Sequence, residues 1–274
     1  MSEPGGGALT ILFQDQHLVA VDKPAGLLVH RSMLDRHERR FALQMVRDQI
    51  GQRVHAVHRL DKGTSGVLLF ALSSPVARTL GSMFEQRQVD KRYLAVVRGH
   101  PALAGEIDHP LRRLVDPVEN AGAAATSALA QDAWTRYRRL ATIELPHRVD
   151  RYPSSRYALL ELEPLNGRRH QLRRHLKHIA HPVIGDATYG KGRHNRLFQT
   201  LFDCQRLLLA CTALRLTHPV SGQALCLTAP LAGDFARLLA RLEWTGAVPP
   251  QWLPHGWLAG ETGGGSDLPA IPDT

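Results

Sequence analysis

Short apolar runs bounded by turn residues constrain the fold of this chain more than any other feature of its sequence. Val67–Leu72, Tyr93–Val97 and Arg156–Leu162 are too short for ordinary helices and are predicted to be strands. Two further segments, Arg206–Thr217 and Ala224–Thr228, flank a turn that contains Pro and Gly, which indicates a hairpin.

Helical signals are fewer than strand signals. A Ser-Pro pair predicts a helix from Ser74 to about Arg87, and Asp234–Leu242 resembles a last helix. Within Arg169–Ile179, apolar residues recur at helical spacing. Because strands outnumber helices without strict alternation, the predicted class is α+β, with a central mixed or mostly antiparallel β-sheet flanked by helices and loops.

Composition divides the chain into one body and two tails. Residues 1–8 are predicted to be a flexible N-terminus, residues 9–245 a single domain, and the Pro- and Gly-rich residues 246–274 an irregular tail. Residues from about 101 to 155 include an Ala/Gly-rich stretch and scattered arginines. We expect this range to be less regular and to form a peripheral insertion.

The charge of the chain favours a polyanionic partner. Lys and Arg number 34 against 25 Asp and Glu, a net charge of +9 with a pI near 10.0. Nucleic acid is the commonest partner of so basic a protein, although a solvated basic surface would give the same composition.

Cysteine usage and apolar patterning indicate the compartment. The 3 cysteines, Cys204, Cys211 and Cys226, have no CxxC spacing, which argues against a disulfide framework and a Cys-based zinc site. The N-terminus lacks a signal-peptide pattern, and the most apolar run, Leu207–Leu214, is too short to cross a bilayer. We therefore expect a cytoplasmic protein without a membrane partner.

Asp61, in the stretch HRLDKGTSG, is the first candidate functional residue. The ordinary interpretation is a turn acid that bonds backbone amides. The alternative is a catalytic carboxylate, because His58 and Arg59 place basic groups beside it and a buried strand follows at once. Loops at strand ends are where rigid scaffolds carry catalytic side chains.

The second candidate functional region is the stretch GRRHQLRRHLKHIAHPVIGD, residues 167–186. Seven basic or imidazole groups fall between Arg168 and Lys177. They could form a solvated helix face, a phosphate-binding face, or an arginine delivered to an acid. The histidines do not have HExxH spacing and no acidic or Cys ligand lies nearby, so we expect no metal.

Tyr93, in VDKRYLAVVRG, is the third candidate. It could pack in the core as strand aromatics usually do, or offer its ring for base stacking. The chain has no P-loop, no GxGxxG after a strand and no GxSxG elbow, so we expect no small-molecule cofactor.

Four ordered blocks resemble the RluA-type pseudouridine synthases. HRLDKGTSG matches the family's HRLD-x-x-TSG, KRYLAVVRG its K-x-Y-x-A-x-V-x-G, and GRRHQLRRH…HPVIGDATYG its GR-x-HQ(I/L)R-x-H…HP-x-x-GD-x-x-YG. RLLLACTALRLTHPVSG is similar to the closing block, with Ala210-Cys211 where the family usually has His-Ala. The resemblance covers about residues 10 to 243 and implies the pseudouridine synthase fold.

The resemblance also implies an activity and its residues. Isomerising uridine to pseudouridine breaks the N1–C1′ bond, turns the base and rejoins it through C5, with no redox or metal step. Three catalytic residues carry over from the family: Asp61 as the essential carboxylate, Arg173 as its partner, and Tyr93 as the ring that stacks on the base. Arg59 would fill the gap left by the flipped nucleotide. The expected phosphate contacts are Arg168, Arg174 and Lys177.

The blocks are closest to tRNA-directed members that modify uridine 65, and no room is left in front for the S4 RNA-binding module of several rRNA-directed relatives. The implied partner is tRNA, bound by a monomer. Three alternatives remain: an rRNA-directed or broader synthase of this type, a non-catalytic RNA-binding protein, and a glycoside or nucleoside hydrolase. The hydrolase would need a second acid beside Asp61, for which Asp186 is a candidate.

Overall fold

A ten-stranded sheet is the centre of the protein, for which a computed structural model describes residues 7–30, 38–114, 129–231 and 233–254. Twelve strands are present in the described ranges: β1 (Thr10–Gln14), β2 (Leu18–Lys23), β3 (His55–Ala56), β4 (Ser65–Ala71), β5 (Asp90–Arg98), β6 (Ala104–Asp108), β7 (Leu111–Arg112), β8 (Ala130–Gln131), β9 (Trp134–Leu145), β10 (Ser155–Pro164), β11 (Leu209–Thr217) and β12 (Ala224–Thr228).

The sheet is mixed and mostly antiparallel. Its main path runs β1-β2-β4-β11-β5-β10-β9-β6, with β3 paired to β4 and β12 to β11, while β7 and β8 form a separate two-stranded pair. Among the described pairs, β4 and β11 are parallel and all others are antiparallel. The predicted α+β class and the mixed, mostly antiparallel sheet are therefore confirmed.

Both faces of the central strands are buried, which explains their continuous apolar runs. Along β5, Tyr93, Ala95 and Val97 enter one hydrophobic cluster, and Leu94 and Val96 enter the other. Successive side chains of a strand point to opposite faces, so one strand supplies both cores. The continuous apolar run Tyr93–Val97, which predicted a strand, is the direct consequence of burial on both faces.

Helices cover the two faces. They are α1 (Ala42–Ile50), α2 (Ser74–Glu85), α3 (Gln171–His178), α4 (Gly192–Phe202) and α5 (Gly233–Arg241). Apolar residues of α1, α2 and α3 join the first cluster, and those of α4 and α5 join the second. The predicted helices correspond to α2, α3 and α5, whereas α1 and α4 were not predicted. Leu197 and Leu201, one turn apart on α4, were the signal that could have found it.

The expectation of an irregular segment at about 101–155 is wrong for the part that belongs to the sheet. β9 pairs with β10 along its length, and β6 pairs with β9 at the sheet edge. Arginines alternate along β9 because one face is exposed, where Arg136 pairs with Glu106 at 2.8 Å and Arg138 with Glu161 at 2.7 Å. The Ala/Gly-rich residues 115–128 lie outside the described ranges.

Parts of both predicted tails also lie outside the described ranges, namely residues 1–6 and 255–274. The described start of the C-terminal tail packs on the body, with Trp252 and Leu253 buried in the second cluster. Within the described part of the chain, no helix has the length and apolar character that crossing a bilayer requires.

Gly66 permits the close approach of β4 and β11 that places the Asp61 loop. Its φ is +107°, a region that L side chains rarely adopt, and a β-carbon there would meet the Cys211 carbonyl oxygen at 2.0 Å. The parallel pairing of Ser65 and Gly66 with Ala210 and Cys211 therefore requires glycine.

Gly66→Ala is expected to lower the free energy of unfolding by about 3 kcal/mol or more, because the new methyl group collides with backbone in a disfavoured conformation. Urea denaturation measures the effect. The matched control is Gly81→Ala within α2, where a β-carbon meets nothing within 4 Å. That change should raise stability by about 0.5–1 kcal/mol. Equal stabilities for the two variants would contradict this account of Gly66.

Candidate active site

The loop that carries Asp61 is a tight turn fastened to its neighbours. The Thr64 amide donates to the main-chain carbonyl of Asp61 at 3.0 Å and closes the turn, while the Asp61 side chain accepts from Arg173. The Lys62 carbonyl accepts from the Gly26 amide at 2.8 Å and from Lys23 Nζ at 3.3 Å. Lys23 is fully buried, and burial is the main cause that lowers its pKa to about 7. These bonds fix the position of the Asp61 loop, and no sequence motif had singled out Lys23.

Arg173 contacts Asp61 and anchors it to a second carboxylate. Its Nη1 donates to Asp61 Oδ2 at 3.1 Å. Its Nε donates to Asp186 Oδ2 at 2.7 Å and its Nη2 to Asp186 Oδ1 at 2.9 Å. Of the three interpretations of the basic stretch, an arginine delivered to an acid therefore describes Arg173.

Asp186 is buried and fully engaged. Besides Arg173, its Oδ1 accepts from the backbone amides of Thr188 and Tyr189, each at 2.9 Å. Burial raises the pKa of Asp186, but the bonds from Arg173 and the two amides, with the charge of Arg173, outweigh burial and leave the pKa lowered. With both oxygens bonded, Asp186 holds Arg173, and this does not favour the second-acid role that a hydrolase would need.

Helix α3 is held against β9 by polar contacts, which explains why so basic a helix is not simply solvated. Gln171 Nε2 donates to the Trp134 carbonyl at 2.9 Å, and the Nδ1 atom of His175 lies 3.0 Å from Thr135 Oγ1. His175 is fully buried, and burial is the main cause that lowers its pKa to about 4, so it is neutral at pH 7. The contacts fix the helix that carries Arg173.

Tyr93 lies in the same pocket as Asp61, on β5, which β11 separates from the strand β4 that follows the Asp61 loop. The pocket has a volume of about 400 Å³ and is lined by Asp61, Tyr93, Arg173 and His170, among others. Tyr93 is 9% exposed, and burial, followed by the neighbouring Cys211, raises the pKa of its hydroxyl. Cys211 is its cross-strand partner on β11, so the departure at Ala210-Cys211 lies directly beside Tyr93.

The four predicted RNA-contacting residues divide into two pairs. Arg59 and Arg168 line the pocket; Arg59 is exposed, and Arg168 Nε donates to the Asp132 carbonyl at 3.1 Å. Arg174 and Lys177 are not among the described residues that line it. Arg174 Nη1 donates to the Arg112 carbonyl at 3.0 Å, and Lys177 is exposed.

In the described ranges, His, Cys, Asp and Glu side chains form no group of three or more that could hold a metal ion. A carboxylate, a guanidinium and a phenol meet in a cavity of suitable size for one nucleotide base with its sugar.

Comparison with known proteins agrees with this arrangement. Residues 17–178 match the family model described as RNA pseudouridylate synthase. The chain belongs to this family. Among solved structures, it is similar to human RNA Pseudouridylate Synthase Domain Containing 1, with a TM-score of 0.63, 26% identity and coverage of 84% of this chain and 86% of that one. Domain Containing 4 gives a TM-score of 0.63, 29% identity and coverage of 85% and 93%. The predicted pseudouridine synthase fold is confirmed.

Curated relatives are more similar in sequence. The tRNA pseudouridine synthase C of Pectobacterium carotovorum is 51% identical over 241 residues, which are 88% of this chain and 64% of that protein. The protein of the same name from Yersinia pestis is 49% identical over 241 residues, 88% of this chain and 93% of the relative. The chain thus spans less than two thirds of the first relative and nearly all of the second.

Asp186→Asn is expected to lower the free energy of unfolding by about 3–5 kcal/mol at pH 7, because it leaves the charge of Arg173 buried without its main partner. The folded-state pKa of Asp186 is lowered, so its contribution is complete above the unfolded value of about 3.9 and is lost as pH falls through the folded value. Urea denaturation at pH 7 and at successively lower pH should show the difference between variant and wild type shrinking.

The matched control is Asp48→Asn, which removes an exposed Asp–Arg pair with Arg47 at 2.7 Å. We expect stability near wild type for this variant, because exposed ion pairs contribute little. A similar loss in both variants, or a difference for Asp186→Asn that does not change with pH, would contradict the role given to Asp186.

Proposed function

We propose that this pseudouridine synthase isomerises a uridine of tRNA, with Asp61 as the essential carboxylate, Arg173 as its partner and Tyr93 as the ring that holds the base. The observation that carries the proposal is the Asp61–Arg173 pair, with Nη1 3.1 Å from Oδ2, inside a pocket that Tyr93 also lines. Within this pocket, Asp61 is a partly exposed carboxylate that accepts a hydrogen bond from a buried cation.

Asp61 suits the chemistry at the sugar. A carboxylate can attack a sugar carbon or remove a sugar proton, and it is regenerated when the base rejoins through C5. Asp61 is 18% exposed, so a substrate can reach it, and Arg173 occupies its Oδ2. The ion pair stabilises the negative charge on which either reaction depends, and the other oxygen remains for the nucleotide.

Tyr93 suits the base. Its ring lies on a rigid central strand, and a base entering the pocket can stack on a π-face without being hydrogen-bonded by it. That tolerance is useful in an isomerisation, because the uracil must turn between its N1-linked and C5-linked positions. Burial holds the pKa of the Tyr93 hydroxyl above its usual value, so the phenol stays protonated at pH 7.

Arg59 and Arg168 are the proposed contacts with the rest of the RNA. The target nucleotide must leave its stack before Asp61 can reach it, at a cost of a few kcal/mol. Arg59 is exposed at the pocket, two residues before Asp61, and its side chain could replace the missing base. We place Arg174 and Lys177 farther out on α3 as phosphate contacts.

The substrate is proposed from the relatives. Proteins named tRNA pseudouridine synthase C are about half identical to this chain over 86–88% of its length. Uridine 65 is the position that the sequence blocks imply. An rRNA-directed or broader synthase remains the alternative, while an RNA-binding protein without activity would have no need of a paired carboxylate in a pocket.

A cytoplasmic location and a monomeric state remain predictions from the sequence.

Asp61→Asn is expected to lower the rate of pseudouridine formation by at least about 10³-fold while tRNA binding is kept, because the amide can neither attack nor remove a proton. Unmodified tRNA is incubated with each protein, and pseudouridine is mapped by carbodiimide treatment and primed reverse transcription. The control is Asp90→Asn, an exposed acid at the start of β5. Product at another position would favour the broader-specificity alternative, and an active Asp61→Asn would refute the assignment.

Arg59→Ala is expected to slow the reaction on folded tRNA by roughly tenfold or more and to have a smaller effect on an unpaired uridine, whose base is already unstacked. Single-turnover rates on tRNA and on a single-stranded oligonucleotide measure the difference. Arg53→Ala, an exposed arginine six residues earlier, is the control. Equal slowing on both substrates would assign Arg59 to general RNA binding instead.

A further inference from the structure

His170 has an unusual backbone conformation at the edge of the pocket. It precedes α3 with φ 57° and ψ 25°, the left-handed region, and its side chain makes no capping hydrogen bond to the helix. A non-glycine residue pays a conformational cost to adopt this region, and such residues cluster at functional sites. The conformation therefore indicates a functional role for the His170 imidazole.

The imidazole ring is fixed by Tyr189. The Nδ1 atom of His170 lies 3.0 Å from the Tyr189 hydroxyl, and the two rings meet edge to face at 5.6 Å. Burial is the main cause that lowers the pKa of His170, and the cations Arg173 and Arg169 add to it against the opposing charge of Asp61. The ring is therefore neutral at pH 7, with one nitrogen that donates and one that accepts.

The second nitrogen of His170 faces Asp61. Its Nε2 lies 3.9 Å from Asp61 Oδ1, while Oδ2 is occupied by Arg173. The negative carboxylate favours a proton on the nitrogen that faces it, and the Tyr189 hydroxyl can donate to the other nitrogen. The pair thus presents one N–H donor and one carboxylate acceptor to the pocket.

The gap between these atoms fits one bridging oxygen. A distance of 3.9 Å is too long for a direct hydrogen bond, but an oxygen about 2.8 Å from each atom would bond to both. Such an oxygen must accept from His170 and donate to Asp61, which a hydroxyl does and a phosphate or ether oxygen does not. Within an RNA chain, the 2′-hydroxyl is the free hydroxyl of the ribose, and it lies next to C1′, where Asp61 acts.

We propose that His170 Nε2 and Asp61 Oδ1 together bind the 2′-hydroxyl of the target uridine, which makes His170 a specificity-determining residue that distinguishes ribose from deoxyribose. The 2′-hydroxyl is the group by which a protein can tell RNA from DNA at a given nucleotide. Tyr189 is a positioning residue in this arrangement. The inference rests on the proposed function, because it assumes that Asp61 meets the sugar of the target uridine.

The test combines a substrate change with a protein change. Single-turnover rates are measured on an RNA whose target uridine carries either the 2′-hydroxyl or 2′-hydrogen, with wild type and with His170→Asn. Asparagine tolerates the left-handed backbone but is too short to bridge Tyr189 and the hydroxyl. Because the intrinsic chemical effect of the 2′-hydrogen is the same for both enzymes, the ratio of the two rate ratios isolates the contact.

Replacing the 2′-hydroxyl with hydrogen is expected to slow the wild-type enzyme more than it slows His170→Asn. The rate ratio of the two substrates should be roughly tenfold or more larger for wild type than for the variant. Tyr189→Phe should reduce that difference in part, because it releases the imidazole without removing it. The control is His178→Asn, an exposed histidine of the same helix that stacks on His109 at 3.8 Å outside the pocket. It should keep the wild-type ratio.

Two outcomes overturn the inference in distinguishable ways. Equal rate ratios in wild type and His170→Asn, with pseudouridine formed by wild type, would overturn the 2′-hydroxyl contact and leave the proposed function intact. Absence of product from wild type on the all-ribose RNA would overturn the proposed function and this inference together. A ratio reduced equally in His178→Asn would assign the effect to disturbance of α3 and also overturn the contact.

Discussion

The buried charge of Arg173 is the interaction on which the rest of the site depends. A guanidinium withdrawn from water is costly unless it is paired and hydrogen-bonded, and Arg173 meets this requirement with Asp186 on one side and Asp61 on the other. Asp186 takes two of its donors and is itself fixed by backbone amides. Its Nη1 donates to Asp61, so the same bonds that offset the cost of burying the cation also orient the reactive carboxylate.

The sheet makes this arrangement rigid. Tyr93 comes from a central strand that is buried on both faces, and Asp61 from a turn whose backbone is fastened by Lys23 and Gly26. Helix α3 is held against β9 by Gln171 and other buried polar groups. Three separate elements therefore deliver their side chains to one pocket, and a small displacement of any of them would separate the groups.

Individual elements explain why prediction succeeded in some places and failed in others. The apolar runs of β4 and β5 predicted strands because both their faces are buried. β9 was missed because its alternating arginines form cross-strand ion pairs with Glu106 and Glu161, a pattern that resembles irregular polar chain. The basic character of α3 did not reveal that His175 is buried, since its partners lie on a distant strand.

The sequence alone determined the fold class, the family and the identity of Asp61, Tyr93 and Arg173 as candidates, because apolar periodicity and ordered motifs are local properties of the chain. Only the tertiary structure decided that Arg173 joins Asp61 to Asp186 and that His170 faces Asp61 across 3.9 Å. These contacts span up to 112 positions of the chain. Their geometry follows from packing in three dimensions, which no local pattern records.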